Sequence, residues 1–235
     1  MKVGLIGLGR MGEGIAGCLL NAGFDLVIWN RTASRGEPLE QRGARIAQSM
    51  RDLAASADVV LTCLTGDEAI LEAMAGEQGL LAGMRPGAVH VCMMTISPRC
   101  ADELERLHAG QGSHYVAGPL SGRPDAAAAG ALLTYLAGPT QAVERVKPVC
   151  AAYAKQIVVV SERPRAANCL KLSINFTLCS IMEIFGEAYS FAEKCGVNPD
   201  LLNDWYQMAF AHPAIKTYAS KIRHREFDTT VGYSM

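Results

Sequence analysis

A chain of 235 residues is long enough for a large domain, or a domain and a half, with a substantial core. Half of its residues are hydrophobic and 19% are charged, which excludes a disordered protein. With 22 basic against 23 acidic residues there is no basic excess to neutralise a nucleic-acid backbone, although a local basic site for one phosphate stays open.

In chain order, apolar strand-like runs alternate with amphipathic helical ones. Strands are expected at residues 3–7, 26–29, 59–63 and 88–92, with a weak one at 44–47. Helices are expected at 11–21, 38–42, 50–55 and 67–74, and the alternation means a parallel sheet with helices on both faces. It continues with a helix over 97–108, strands at 114–117 and 132–137, a helix over 141–153 and a strand at 157–160. From Pro164 onward everything reads as helix: 165–194, then 199–211, then a short piece after Pro213. The expected organisation is a Rossmann-type doubly wound α/β domain over 1–163, followed by an all-α domain over 164–235.

The helix over 165–194 is apolar on nearly every face, so it is expected to be packed on all sides, partly by a second subunit as a homodimer. Asn168, Lys171, Asn175, Glu183 and Glu187 are each costly in hydrocarbon, which favours a buried helix of a soluble protein over a membrane span. The eight cysteines are dispersed with no C-x-x-C pair. They read as reduced, mostly buried thiols of a cytoplasmic protein, with no metal site. The chain opens directly on an expected strand, so no signal peptide is expected.

Gly7-Leu8-Gly9-Arg10-Met11-Gly12 carries the most specific chemistry. A G-x-G-x-x-G string is weak alone, but here it joins a strand to a helix at the start of a strand-helix-strand unit. Gly7 permits the tight turn, Gly9 lets a pyrophosphate approach the backbone, and Gly12 lets helix and strand pack closely. At the end of the second strand an NAD site usually has an acid for the ribose 2′-hydroxyl. This chain has Asn30-Arg31-Thr32, and a guanidinium there binds a 2′-phosphate, so NADP (NADPH) is favoured.

Four segments resemble the β-hydroxyacid dehydrogenase family, which includes 3-hydroxyisobutyrate dehydrogenases, glyoxylate/succinic semialdehyde reductases and, more distantly, imine reductases. They are the glycine-rich loop, Trp29-Asn30-Arg31-Thr32, Pro119-Leu120-Ser121-Gly122 with Ala127 and Gly130, and Lys171-Leu172-Ser173-Ile174-Asn175. The resemblance covers the chain to its end. It implies that Lys171 moves the proton of the alcohol or carbonyl while hydride moves to or from the nicotinamide. It implies too that Asn175 holds lysine and substrate, and that Ser121 and Gly122 hold a substrate carboxylate. Leu64 and Thr65 follow the fourth strand, where the family touches cofactor, and Thr95 matches a position near the nicotinamide ribose. The residues themselves agree: Lys171 and Asn175 are four apart on one helix face. A lysine in an apolar helix is paired, open to a cleft, shifted in pKa, or snorkels to the surface.

The chain departs from the family's pattern at Ala117 (usually Asp), at Arg123 (usually Gly), and at Arg165 and Ala167 (usually both Gly). Arg123 either supplies a charge for a larger or dianionic acid or points to solvent. Phe227–Tyr233 resembles the approach to the family's closing helices, and the helical domain reads as truncated. The expected activity is hydride transfer between NADP(H) and a small hydroxy acid, semialdehyde or 2-oxo acid. The alternatives are reduction of cyclic imines and a non-catalytic NADP-binding module.

Overall fold

A computed structural model of the chain describes residues 1–210 and 213–226, so residues 227–233, read as an approach to closing helices, lie outside the described residues. The chain divides into two compact units, one ending at Lys171 and the other beginning at Leu172.

In the first unit β1 (Lys2–Ile6) leads into α1 (Arg10–Asn21) and β2 (Asp25–Trp29). A 3-10 turn (Ala33–Gly36), α2 (Glu37–Glu40), β3 (Arg45–Ile46) and α3 (Met50–Ser56) follow. Then come β4 (Val59–Thr62), α4 (Gly66–Met74), α5 (Leu80–Gly83), β5 (Val89–Cys92), α6 (Pro98–Gln111) and β6 (His114–Ala117). The sheet order β3-β2-β1-β4-β5-β6 is parallel throughout. Chain progression reverses between β1 and β4, the crevice where doubly wound sheets bind ligands. Every residue of β4 and β5 is buried, as expected of central parallel strands covered on both faces. Val3, Leu5, Leu61 and Val91 form one core with Ile15 and Leu19 of α1.

Strict parallel alternation does not hold to the end of this unit. After β6 come β7 (Leu120–Ser121), α7 (Pro124–Ala128) and β8 (Leu132–Ala137), and β8 runs antiparallel to both β6 and β7. The intervening chain holds only the five-residue α7, too little for a parallel crossover, so it turns back at Gly122 (φ +136°) and Gly130 (φ +65°). The short β7 and α7 carry no hydrophobic period long enough to reveal them in the sequence. α8 (Thr140–Cys150) then carries the chain to β9 (Ala154–Ser161), parallel to β8.

α9 (Arg165–Lys194) begins in this unit, with Ala167, Asn168 and Lys171 buried. The second unit holds the rest of α9 with α10 (Pro199–Ala209) and α11 (Pro213–Arg223). Its core is aromatic: Phe185 meets Tyr206 at a ring-centroid distance of 4.3 Å, and Tyr189 meets Tyr206 edge-on at 5.7 Å. Asn198 caps α10 by accepting from the Asp200 N–H, and Arg223 of α11 reaches the Asp200 carboxylate at 2.7 Å.

The expectation that the long helix is packed on all sides is corrected within the single chain. Phe176, Ile184 and Phe191 are 73%, 61% and 71% exposed, and their spacing places them on one stripe of α9. By length and composition α9 is apolar enough to cross a membrane. Its first turns, however, bury an amide and an ammonium within the sheet unit.

Candidate active site

The glycine-rich loop leaves β1 at the switch point. Gly7 has φ +97°, and its N–H donates to the Trp29 carbonyl at 3.0 Å, so the loop is tied to the end of β2. At Gly12 an added Cβ would stand 2.0 Å from the Gly7 carbonyl oxygen, so only glycine lets α1 start this close. Gly9 is different. It has extended backbone (φ −73°, ψ −172°), and a Cβ there would meet nothing of the protein within 4 Å. The fold does not need glycine at position 9, whereas a phosphate drawn against the backbone does. Gly9 at the N-cap supplies no side-chain cap to α1, whose N-terminus lies where a phosphate would be bound. Gly7, Gly9 and Gly12 therefore fit a dinucleotide pyrophosphate, with Leu8, Arg10 and Met11 supplying the intervening backbone.

At the end of β2, the Asn30 side-chain oxygen accepts from the Leu8 N–H at 2.9 Å, and its amide nitrogen donates to the Thr32 carbonyl at 2.9 Å. Asn30 thus shapes both loops. Arg31 and Thr32 are exposed beside it. Sequence reasoning missed Arg35, whose guanidinium donates to the Leu8 carbonyl at 3.3 Å from the 3-10 turn. A second cation is thereby held against the glycine-rich loop. The sole signal was a basic residue four positions after Arg31. Nearby, Trp29, Gln48, Ser49, Arg51 and Gln78 help to line an open concavity of about 700 Å³, which includes neither Lys171 nor Ser121.

Leu64 and Thr65 follow β4 after Cys63, and Thr95 lies in the loop after β5. The register pairs Thr62 with Cys92, so both loops leave the same edge of the sheet. The Met93 N–H donates to the Thr62 carbonyl and the Cys63 N–H to the Ile6 carbonyl, continuing the ladder into the loops.

Lys171 and Ser121, fifty residues apart, are brought together: Nζ donates to Ser121 Oγ at 3.0 Å. Lys171 is only 9% exposed, and burial lowers its pKa from 10.5 to about 8. Among the described residues no carboxylate forms an ion pair with it, so no opposite charge there offsets the cost of burying its own. Gly122 follows with a positive φ, and a Cβ there would press on Leu132 at 2.6 Å. That glycine has a local steric reason beside any role in holding a carboxylate. Arg123 is exposed at the N-cap of α7. Asn175 lies four residues beyond Lys171 in α9, within the second unit. One turn before Lys171, Asn168 is buried near the Tyr115 hydroxyl, yet neither group closes a hydrogen bond.

The arrangement matches known proteins. Residues 2–161 match the family described as the NAD binding domain of 6-phosphogluconate dehydrogenase. The oxidoreductase YfjR of Bacillus subtilis is 37% identical over all 235 residues, which cover 82% of its length. Among solved structures, a 3-hydroxyisobutyrate dehydrogenase of Mycobacterium tuberculosis, determined with L-serine, aligns with a TM-score of 0.82 at 26% identity. That alignment covers 91% of this chain and 72% of the other. Psf3, determined with NADP+ and 2-OPP, aligns with a TM-score of 0.77 at 26% identity, over 98% of this chain and 89% of the other. The glycine-rich loop, the sheet order and these likenesses over most of the chain agree: it is an oxidoreductase of the β-hydroxyacid dehydrogenase family with a nicotinamide-dinucleotide-binding domain.

Proposed function

We propose that the chain transfers hydride between NADP(H) and a small hydroxy acid, semialdehyde or 2-oxo acid, with Lys171 as general acid and base. The observation that carries this reading is the buried Lys171 ammonium, shifted to about pH 8 and hydrogen-bonded to Ser121. A lysine with a pKa near the working pH exchanges a proton at little cost in either direction. The bound dinucleotide supplies the hydride. Lys171 Nζ gives the proton to the carbonyl oxygen in reduction and takes it from the hydroxyl in oxidation. Ser121 Oγ holds Nζ before substrate arrives, and with the Gly122 backbone it receives the substrate carboxylate. Asn175, next on the same helix, orients the substrate, and Arg123 sits at the rim of this stretch.

For the cofactor, Gly7 to Gly12 cradle the pyrophosphate and Arg31 binds the 2′-phosphate, while Leu64, Thr65 and Thr95 contact the nicotinamide half. The absence of an acid after β2 supports NADP over NAD, as does the likeness to Psf3, which was solved with NADP+. The exposed stripe on α9 supports a homodimer, and eight free cysteines support a reducing, cytoplasmic setting. The test is consumption of NADPH and NADH with glyoxylate, succinic semialdehyde, other short semialdehyde acids and a cyclic imine. NADPH oxidation by an acid substrate, with NADH much slower, is expected. Turnover of the cyclic imine alone would replace the substrate class, and NADPH binding without any turnover would replace the enzyme with a binding module.

A further inference from the structure

Two loops at the switch-point edge are joined by one carboxylate. Asp67, in the first turn of α4, accepts from the Ser97 N–H through Oδ1 at 2.9 Å and from the Ser97 hydroxyl through Oδ2 at 2.5 Å. Both oxygens are therefore taken by one residue thirty positions away. The Ser97 hydroxyl in turn accepts from the Cys100 N–H at 3.1 Å and caps α6. Its proton is committed to Asp67 and one of its lone pairs to the helix. The carboxylate also sits at the start of two helices, α4 and α6, where negative charge is favoured.

The bridge closes the far ends of two loops whose near ends the sheet already fixes. β4 and β5 are neighbours, with Thr62 opposite Cys92, and the Met93 N–H bonds the Thr62 carbonyl. Thr65 precedes Asp67 by two residues and Thr95 precedes Ser97 by two. Neither Thr65 nor Thr95 can shift toward or away from the other without straining the Asp67–Ser97 pair. Since β1 lies between β2 and β4, a dinucleotide whose adenosine end lies over Arg31 extends its other half over β4 and β5.

We infer that Asp67 is a positioning residue: it sets the spacing between the Leu64–Thr65 turn and the Thr95 loop, and so holds the nicotinamide half of the cofactor. The inference rests on the proposed reading of the site as a dinucleotide site. Asp67 acts only through the two loops and touches neither cofactor nor substrate.

The test compares two ligands by titration calorimetry on Asp67→Ala, Asp67→Asn, Ser97→Ala and Ser97→Thr. NADPH reports both halves of the site; adenosine 2′,5′-bisphosphate reports only the half over Arg31. Asp67→Ala is expected to weaken NADPH about tenfold and to leave the bisphosphate within about twofold, with kcat also reduced at saturating NADPH. Ser97→Thr, which keeps the hydroxyl, should restore NADPH affinity that Ser97→Ala loses. A general loss of stability would lower the melting temperature and weaken both ligands alike, and that result overturns the inference. So does NADPH affinity within twofold of wild type. Should Asp67→Ala not fold, Asp67→Asn and Ser97→Ala must show the same split between ligands. Wild-type protein that binds neither ligand would remove the dinucleotide reading itself, a failure distinct from loss of the split.

Discussion

Lys171 Nζ lies 3.0 Å from Ser121 Oγ, joining the first turns of α9 to a two-residue strand fifty positions earlier. The serine oxygen accepts from the ammonium and so favours the charged form, while burial opposes it and wins, leaving the pKa near 8. With Lys171 as the proposed acid and base, the ammonium donates the proton in reduction, so kcat should fall as pH rises through about 8. In the oxidising direction the neutral amine is the base, so kcat should rise over the same interval. Lys171→Ala should lower turnover by roughly 10²–10⁴-fold and abolish that inflection. Ser121→Ala removes the acceptor, so it should move the inflection to lower pH and raise KM for the acid. A Lys171→Ala rate within tenfold of wild type would leave the lysine without its assigned role.

Gly9 and Gly12 separate what the cofactor needs from what the fold needs. A methyl at position 12 would collide with the Gly7 carbonyl oxygen, so Gly12→Ala should destabilise the loop, lower the melting temperature and lose binding together. A methyl at position 9 meets nothing in the protein. Gly9→Ala should therefore melt like wild type and yet bind NADPH about tenfold or more weakly. Equal affinity in Gly9→Ala would mean that no phosphate approaches the backbone there.

In the proposed NADP site Arg31 and Arg35 share the cationic work at the adenosine end. Arg31 is exposed at the end of β2, and loss of a charge-assisted bond of about 1.5–3 kcal/mol should weaken NADPH roughly 10–100-fold. NADH, which lacks the phosphate, should change little. Arg35 also holds the Leu8 carbonyl, so Arg35→Ala should weaken both cofactors and NADPH more. Steady-state kcat/KM for the two cofactors reads out both ratios. Loss of NADPH and NADH by the same factor in Arg31→Ala would place the 2′-phosphate elsewhere.

Much of this site was legible in the sequence, and the reason differs from residue to residue. The strand-loop-helix around Gly7 to Gly12 is local, so its chemistry can be read from adjacent positions. Lys171 stood out because a charge interrupts an apolar helical period, but its partner Ser121 comes from β7, a strand too short to carry a pattern. Ser97 before Pro98 has the look of a helix start, whereas Asp67 is one acid among several in a helical first turn. Only packing of the loops after β4 and β5 joins them. The antiparallel β8 was missed for the same reason, since direction is fixed by the length of a connection whose helix is just five residues long.

Phe176, Ile184 and Phe191 form an exposed stripe on α9, and Leu201, Trp205 and Met208 another on α10. Exposed apolar area of this kind favours association. Sedimentation at micromolar concentration should show a dimer, with Phe191→Glu or Trp205→Glu shifting it toward monomer. A monomeric wild type that stays soluble would leave these side chains without the second copy assigned to them.

A chain of buried hydrogen bonds links Thr62 to Ser113 through two histidines. Thr62 Oγ1 lies 2.9 Å from His90 Nε2, His90 Nδ1 lies 2.9 Å from His108 Nε2, and His108 Nδ1 lies 2.7 Å from Ser113 Oγ. The Ser113 hydroxyl donates to the His108 carbonyl, so Ser113 Oγ accepts from His108 Nδ1–H. That fixes His108 Nε2 as acceptor, His90 Nδ1 as donor and His90 Nε2 as acceptor from the threonine. Both rings are then neutral Nδ1–H tautomers, and the Tyr115 ring stacks on His108. Protonating His108 at Nε2 places donor against donor opposite His90 Nδ1–H, and a charge on either ring would sit in a dry interior. Burial accordingly holds His90 well below 6.5 and His108 at about 4. The unfolded chain takes these protons near pH 6.5 and the folded chain does not, so their stabilising contribution is complete above pH 6.5. It declines as pH falls from about 6.5 toward 4, by about 3 kcal/mol for His108. Urea unfolding at a series of pH values should show this slope, and His108→Gln should flatten it while lowering stability at pH 7.5. Nitrogen chemical shifts of the two rings at neutral pH test the assignment directly: Nε2–H tautomers, or a ring that titrates near 6.5 in the folded protein, would break the chain.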